Sequence, residues 1–166
     1  MATKTQPRTF ATRIDIAEDN RLELVDLLNA RLADTLDLYT QLKQAHWNVK
    51  GGDFIQLHEL YDEIAEDIEG YVDEIAERAT TLGGLALGTA RMAAAASTLD
   101  EYPLDAFAGK DTVNAVADRL AAYGAAVRAA IDQATELEDM DTADLFTEVS
   151  RAIDKHLWFI EAHLQA

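Results

Sequence analysis

Cysteine is absent from the 166 residues, which excludes a disulfide framework and every thiolate metal site. The absence fits a reducing, cytoplasmic setting. Proline occurs twice and glycine eight times, too rarely for a chain built of short strands and turns. With abundant Ala and Leu, that scarcity favours long helices. No apolar run is long enough to cross a bilayer, because the most apolar stretch, 82–96, is interrupted by Arg91 and several glycines. The first thirteen residues are polar and lack the apolar core of a signal peptide. Basic residues are few, 14 against 31 acidic ones, and leave a net charge of −17. Such a surface repels nucleic acid and anionic membranes and suits cations, divalent metals included. Taken alone, the acidity is the mark of simple solubility or of a salt-adapted host.

What is present suits one domain. Hydrophobic residues make up 49% and charged residues 27%, a globular balance at a length that one core can serve. The expected organisation is a flexible N-terminal tail over 1–14 and a single domain over 15–166, with no internal repeat. Around a short break at 49–53, apolar residues recur in steps of three and four. Val25, Leu28, Leu32, Thr35, Tyr39, Leu42 and His46 precede it; Phe54, Leu57, Tyr61, Ile64, Ile68, Tyr71, Ile75, Arg78 and Leu82 follow. This is the seam of a bundle helix. Gly51-Gly52 is expected to end the first helix and Asp53 to cap the second, and so tight a break implies an antiparallel pair. The Gly- and Ala-rich stretch 82–109 reads as a long crossover with one short helix over 88–96. A third seam runs through Val113, Val116, Leu120, Tyr123, Val127, Ala130, Ala134 and Leu137. A fourth occupies about 142–164 through Leu145, Val149, Ile153, His156 and Ile160. The fold class is all-α: a ferritin-like four-helix bundle with a long crossover between helices two and three.

Two histidines and three carboxylates carry the chemistry: His46, His58, Asp62, Asp73 and Glu77. Imidazole with carboxylate suits iron, zinc and similar divalent ions. His58 and Asp62 are spaced i, i+4, as are Asp73 and Glu77, so each pair shares a helix face. All four lie within an arc of roughly 100° that points away from the apolar seam. Asp62 and Asp73 stand eleven residues apart, about 16 Å along a helix, so they cannot share one metal within one chain. His46, across the tight break, lies beside His58. One end of the helix pair therefore offers His46, His58 and Asp62, and the other offers Asp73 and Glu77. A second subunit related by a two-fold axis would join the two ends into two equivalent sites. The remaining acids of this helix, among them Glu59, Glu63, Glu66 and Asp67, read as a solvated face.

The stretch Ala45-His46-Trp47-Asn48-Val49-Lys50-Gly51, with Phe54, Leu57-His58-Glu59, Asp62, Asp73-Glu74-Ile75-Ala76-Glu77-Arg78 and the closing Asp154-Lys155-His156-Leu157-Trp158-Phe159-Ile160, resembles the signature of the Dps family (DNA-binding proteins from starved cells, or miniferritins). The resemblance covers nearly the whole chain. It implies a homododecameric shell whose diiron ferroxidase sites lie at two-fold interfaces, with His46, His58, Asp62, Asp73 and Glu77 as ligands. It implies that Fe(II) is oxidised by hydrogen peroxide, or more slowly by dioxygen, and stored as ferric mineral. Trp47 is then either an electron donor to the site or an interface packing residue. Glu59 and Glu63 match positions that start the mineral in some members. Asp139, Asp141 and Asp144, in the acidic turn into the last helix, border the expected iron-entry pore, although a helix N-terminus favours acids in any case.

DNA binding is the family's other activity and is not universal. Lys4, Arg8 and Arg13 stand in an N-terminal segment without acids and can meet phosphates, with many tails adding avidity; the −17 of each subunit opposes them. The alternatives are a DNA-compacting shell with little oxidation activity, associated with the nucleoid, a metal-free interaction bundle, and a larger ferritin. Ferritins carry Glu-x-x-His pairs inside one bundle, and none occurs in this sequence.

Overall fold

A computed structural model describes residues 8–165. Four long helices, α1 (Glu18–Asn48), α2 (Phe54–Thr81), α4 (Gly109–Glu136) and α5 (Met140–Glu161), form the bundle, and the short α3 (Ala90–Ala96) lies in the crossover between α2 and α4. The described residues contain no named strand, so the all-α expectation holds. α1 packs chiefly on α2 and α4 on α5. The seams bury Leu28, Leu32, Leu42, Tyr61, Ile64, Ile68, Leu120, Tyr123, Val149 and Ile153, each at 1% exposure or less. Two buried tyrosines find hydroxyl partners across the core, Tyr61 with Thr112 at 2.8 Å and Tyr123 with Thr35 at 2.7 Å. Burial pushes the Tyr61 phenol up to about 12 and raises that of Tyr123 as well, so both stay neutral.

The helix boundaries differ in detail from those expected. Asp53 precedes α2 but makes no side-chain cap. Its backbone (φ −97°, ψ 20°) is already near-helical rather than extended, so the carboxylate does not reach forward. The Phe54 amide instead donates to the Gly51 carbonyl at 3.2 Å, and Gly51 sits at φ +120°, a conformation glycine tolerates. α3 begins at Ala90, two residues later than expected, where the Thr89 side chain caps it. α5 begins at Met140, two residues earlier, because Asp139 accepts from the amides of Asp141 and Thr142, and it ends at Glu161 rather than 164.

The small-residue crossover is fastened by polar side chains of α1. Asn29 donates to the Leu85 carbonyl at 2.9 Å and accepts the Leu87 amide at 2.8 Å. The buried Asp34 takes the Thr98 amide at 2.7 Å, and Asp37 takes the Ser97 hydroxyl at 2.6 Å. Near the far end of the crossover, the Lys50 amide donates to the Phe107 carbonyl at 2.7 Å, and the Gly109 amide donates to the Lys50 carbonyl at 3.1 Å. The α1–α2 turn is thereby tied to the start of α4. At the near end, the Phe10 amide donates to the Gly83 carbonyl at 2.8 Å. A Cβ on Gly83, at φ +89°, would lie 2.4 Å from the Phe10 carbonyl oxygen. Residues 1–7 of the expected tail, Lys4 among them, lie outside the described residues.

Candidate metal centre

His46 lies in the last turn of α1 and His58 in the second turn of α2, so the tight break brings the two rings together. They stack with centroids 3.7 Å apart and planes 18° from parallel. Phe54 extends the stack, its ring 5.1 Å from that of His58. Each imidazole reaches the backbone of the other helix: His46 Nδ1 donates to the His58 carbonyl at 2.6 Å, and His58 Nδ1 donates to the His46 carbonyl at 2.8 Å. A carbonyl can only accept, so in the neutral rings the proton sits on Nδ1 and the Nε2 lone pair is left for a metal. Such carbonyl-held imidazoles are how metal-binding histidines are usually oriented.

Asp62 stands one turn beyond His58. Its Oδ1 lies 4.0 Å from His46 Nδ1 and accepts the ammonium of Lys43. The Lys43 contact holds the Asp62 carboxyl below its usual range, against a smaller opposing effect of burial. Lys43 is a site residue that the ligand spacing did not show. It precedes His46 by three residues on the same helix face, and that spacing is the signal that could have found it.

Asp73 and Glu77 sit on the same unbroken α2, both exposed. They do not join the histidines, and among the described residues no three His or carboxylate side chains of one chain gather closely enough to hold a metal ion. Trp47 is 63% exposed and lines an open hollow with Gln44, Leu99, Tyr102 and Leu104. Glu59 and Glu63 are exposed on α2. Of the acids entering α5, Asp141 and Asp144 are exposed but Asp139 is only 2% exposed. Its carboxylate is taken up by both capped amides and by a two-pronged bond from Arg78, 2.8 Å to each oxygen. Burial pushes the Asp139 carboxyl up, but Arg78 and Thr142 outweigh it, and the net shift is downward.

A four-helix bundle crossed between its second and third long helices, with imidazole and carboxylate gathered at one end of a helix pair, defines a ferritin-like protein. The pattern of the ferritin-like domain matches residues 25–166. The chain is 40% identical over 158 residues to the DNA protection during starvation protein of Agrobacterium fabrum, covering 95% of this chain and 98% of that one. It is 32% identical to the protein of the same name from Halobacterium salinarum, covering 99% and 94%. Among solved structures, the tetragonal form of Mycobacterium smegmatis Dps matches with a TM-score of 0.90 at 30% identity, covering 95% of this chain and 96% of that one. The chain belongs to the Dps family of ferritin-like proteins. Among the described residues, no helix is long and apolar enough to cross a membrane.

Proposed function

We propose that this protein is a ferroxidase and iron-storage miniferritin. The observation that carries the reading is the pair of stacked imidazoles whose Nδ1 protons are fixed on backbone carbonyls, which leaves both Nε2 lone pairs free for a metal, with Asp62 one turn further along α2. Fe(II) is the substrate. The half-site of one subunit faces Asp73 and Glu77 of a two-fold mate, so each interface holds two sites for iron pairs. Two Fe(II) give one electron each to one hydrogen peroxide. With two waters they yield two ferric oxide-hydroxide units and release four protons, and no one-electron radical need leave. The carboxylates offset the added positive charge of the ferric product. Trp47 stands beside His46 as an electron donor when only one iron is bound. Asp141 and Asp144, exposed at the entry to α5, are suited to draw iron inward, and Glu59 and Glu63 to start the mineral. Twelve subunits, cytoplasmic, enclose the store.

The test is anaerobic loading of the sized particle with Fe(II), followed by peroxide and the ferric absorbance. Fast oxidation is expected, slowed at least about tenfold in Asp73→Asn/Glu77→Gln with the particle intact. An unchanged rate in that variant would remove those residues from the site.

The relatives' name, DNA protection during starvation protein, favours the DNA-compacting shell as a second reading. Arg8 and Arg13 are exposed, but the net charge of −17 opposes phosphate. Any gel shift is expected to vanish between low and physiological salt; a shift that persists would bring this reading forward.

A further inference from the structure

We propose that His156 and Asp67 hold a divalent transition-metal ion between α5 and α2, at a site separate from the His46–His58 pair. The site is read from its own geometry and stands whether or not the protein oxidises iron.

His156 is a buried residue of the α5 seam. Its Nε2 lies 3.0 Å from Oδ2 of Asp67 on α2, yet neither ring nitrogen has an aligned hydrogen-bond partner. A buried polar atom left alone marks a place for a water or an ion, and the spacing favours the ion. A metal held at about 2.1 Å by an imidazole nitrogen and a carboxylate oxygen, at right angles, keeps the two about 3 Å apart. Imidazole with carboxylate is the donor set of zinc, iron and cobalt. Burial lowers the pKa of the ring, and Asp67 and Glu63 offset this only in part. The ring is therefore neutral at neutral pH and keeps one lone pair for a metal. The surroundings draw cations. Glu59, Glu63 and Asp67 follow one another at four-residue spacing along one side of α2, all exposed, and they outnumber Lys155, the cation nearest the ring. Asp67 is 58% exposed, free to swing aside, admit the ion and close on it. Two side chains bind and water completes the shell, so affinity falls below that of a closed site. His58 and Asp67 are nine residues apart, about 14 Å along α2, too far to share one ion. On the iron-storage reading, an ion anchored here gives the mineral a fixed first point beside Glu59 and Glu63.

The test uses Zn(II) alone, dialysed to equilibrium at neutral pH against the full-length assembled protein carrying His46→Ala/His58→Ala. The paired histidines then cannot report, and failure of the ferroxidase reading leaves the result untouched. His156→Gln or Asp67→Asn is added to that background, each variant checked for size and helicity. The background is expected to hold one Zn(II) per subunit more tightly than its acidic surface holds the rest. Either addition is expected to weaken that ion at least about tenfold. Asp67 is exposed, so Asp67→Asn reports on the site even where His156→Gln disturbs the core. Undiminished affinity in either variant overturns the proposal; retention in His156→Gln alone would assign the ion to the acidic surface. Absence of a tighter ion in the background overturns it as well.

Discussion

His156 lies in α5 with 4% of its surface exposed and Nε2 3.0 Å from Asp67, yet neither ring nitrogen has an aligned hydrogen-bond partner. Burial pulls its pKa below the ordinary 6.5, and the neighbouring Asp67 restores only part of the loss. A histidine with a depressed folded pKa is held neutral, so the unfolded chain binds the proton more readily. Its contribution is complete above the ordinary histidine value and is lost as pH falls through the folded one. Urea unfolding at fixed protein concentration, from pH 7.5 down to 5.5, is expected to show falling stability in the wild type and a shallower slope in His156→Gln. Equal slopes would clear His156 of the effect. The histidine is legible in the sequence as a seam position, but its sealed ring is not. That depends on how closely α2 approaches α5, which no heptad pattern reports.

At the scale of the helix, the entry to α5 is held from outside. Asp139 caps it, and Arg78 near the end of α2 grips Asp139, so one carboxylate serves both as a helix cap and as a tie to α2. Asp139→Ala leaves the guanidinium, itself only 17% exposed, with the Thr142 hydroxyl and a 3.8 Å contact to Asp141 in place of its buried carboxylate. It is expected to lower unfolding stability by about 3 kcal/mol, while an alanine at exposed Asp141 costs about 0.5 kcal/mol or less. Comparable losses at both positions would show that the cap and its arginine contribute nothing special. The seams themselves were legible, since three- and four-residue spacing is a local property, and so was the crossover from its composition. Sequence groups Asp139 with its acidic neighbours as a pore residue; what separates it from them is its burial and its 2.8 Å bonds to an arginine 61 residues away, which reaches Asp141 only at 3.8 Å.

For the whole molecule, the division of the site is the main consequence. α2 runs unbroken from Phe54 to Thr81, so His58 and Asp73 lie about 22 Å apart along it. The proposed centre then cannot close within one subunit. Mixing Asp73→Asn/Glu77→Gln subunits with His46→Ala/His58→Ala subunits is expected to restore oxidation to roughly a quarter of the wild-type sites in randomly mixed dimers. Each hybrid dimer holds one intact site and one doubly damaged one. No recovery in dimers verified as mixed would sink the shared centre. The spacing argument for two ends was available from sequence because helical rise is fixed. The cation already standing on Asp62 was not, because a lysine among so many acids looks like ordinary surface.

The hydrogen bond between Lys50 and Phe107 reaches further than the turn it closes. A helix leaves its last carbonyls without amide partners, and that of His46 would ordinarily be met by the amide four residues on. That amide belongs to Lys50, and the crossover has drawn it away. The freed oxygen is the one that fixes the proton of His58. The point at which α1 stops therefore decides which nitrogen of a neighbouring ring is open to metal. Extending α1 by even one residue would return the carbonyl to the backbone and release the ring to turn. A crossover that supplies no ligand thus helps set the tautomer of one.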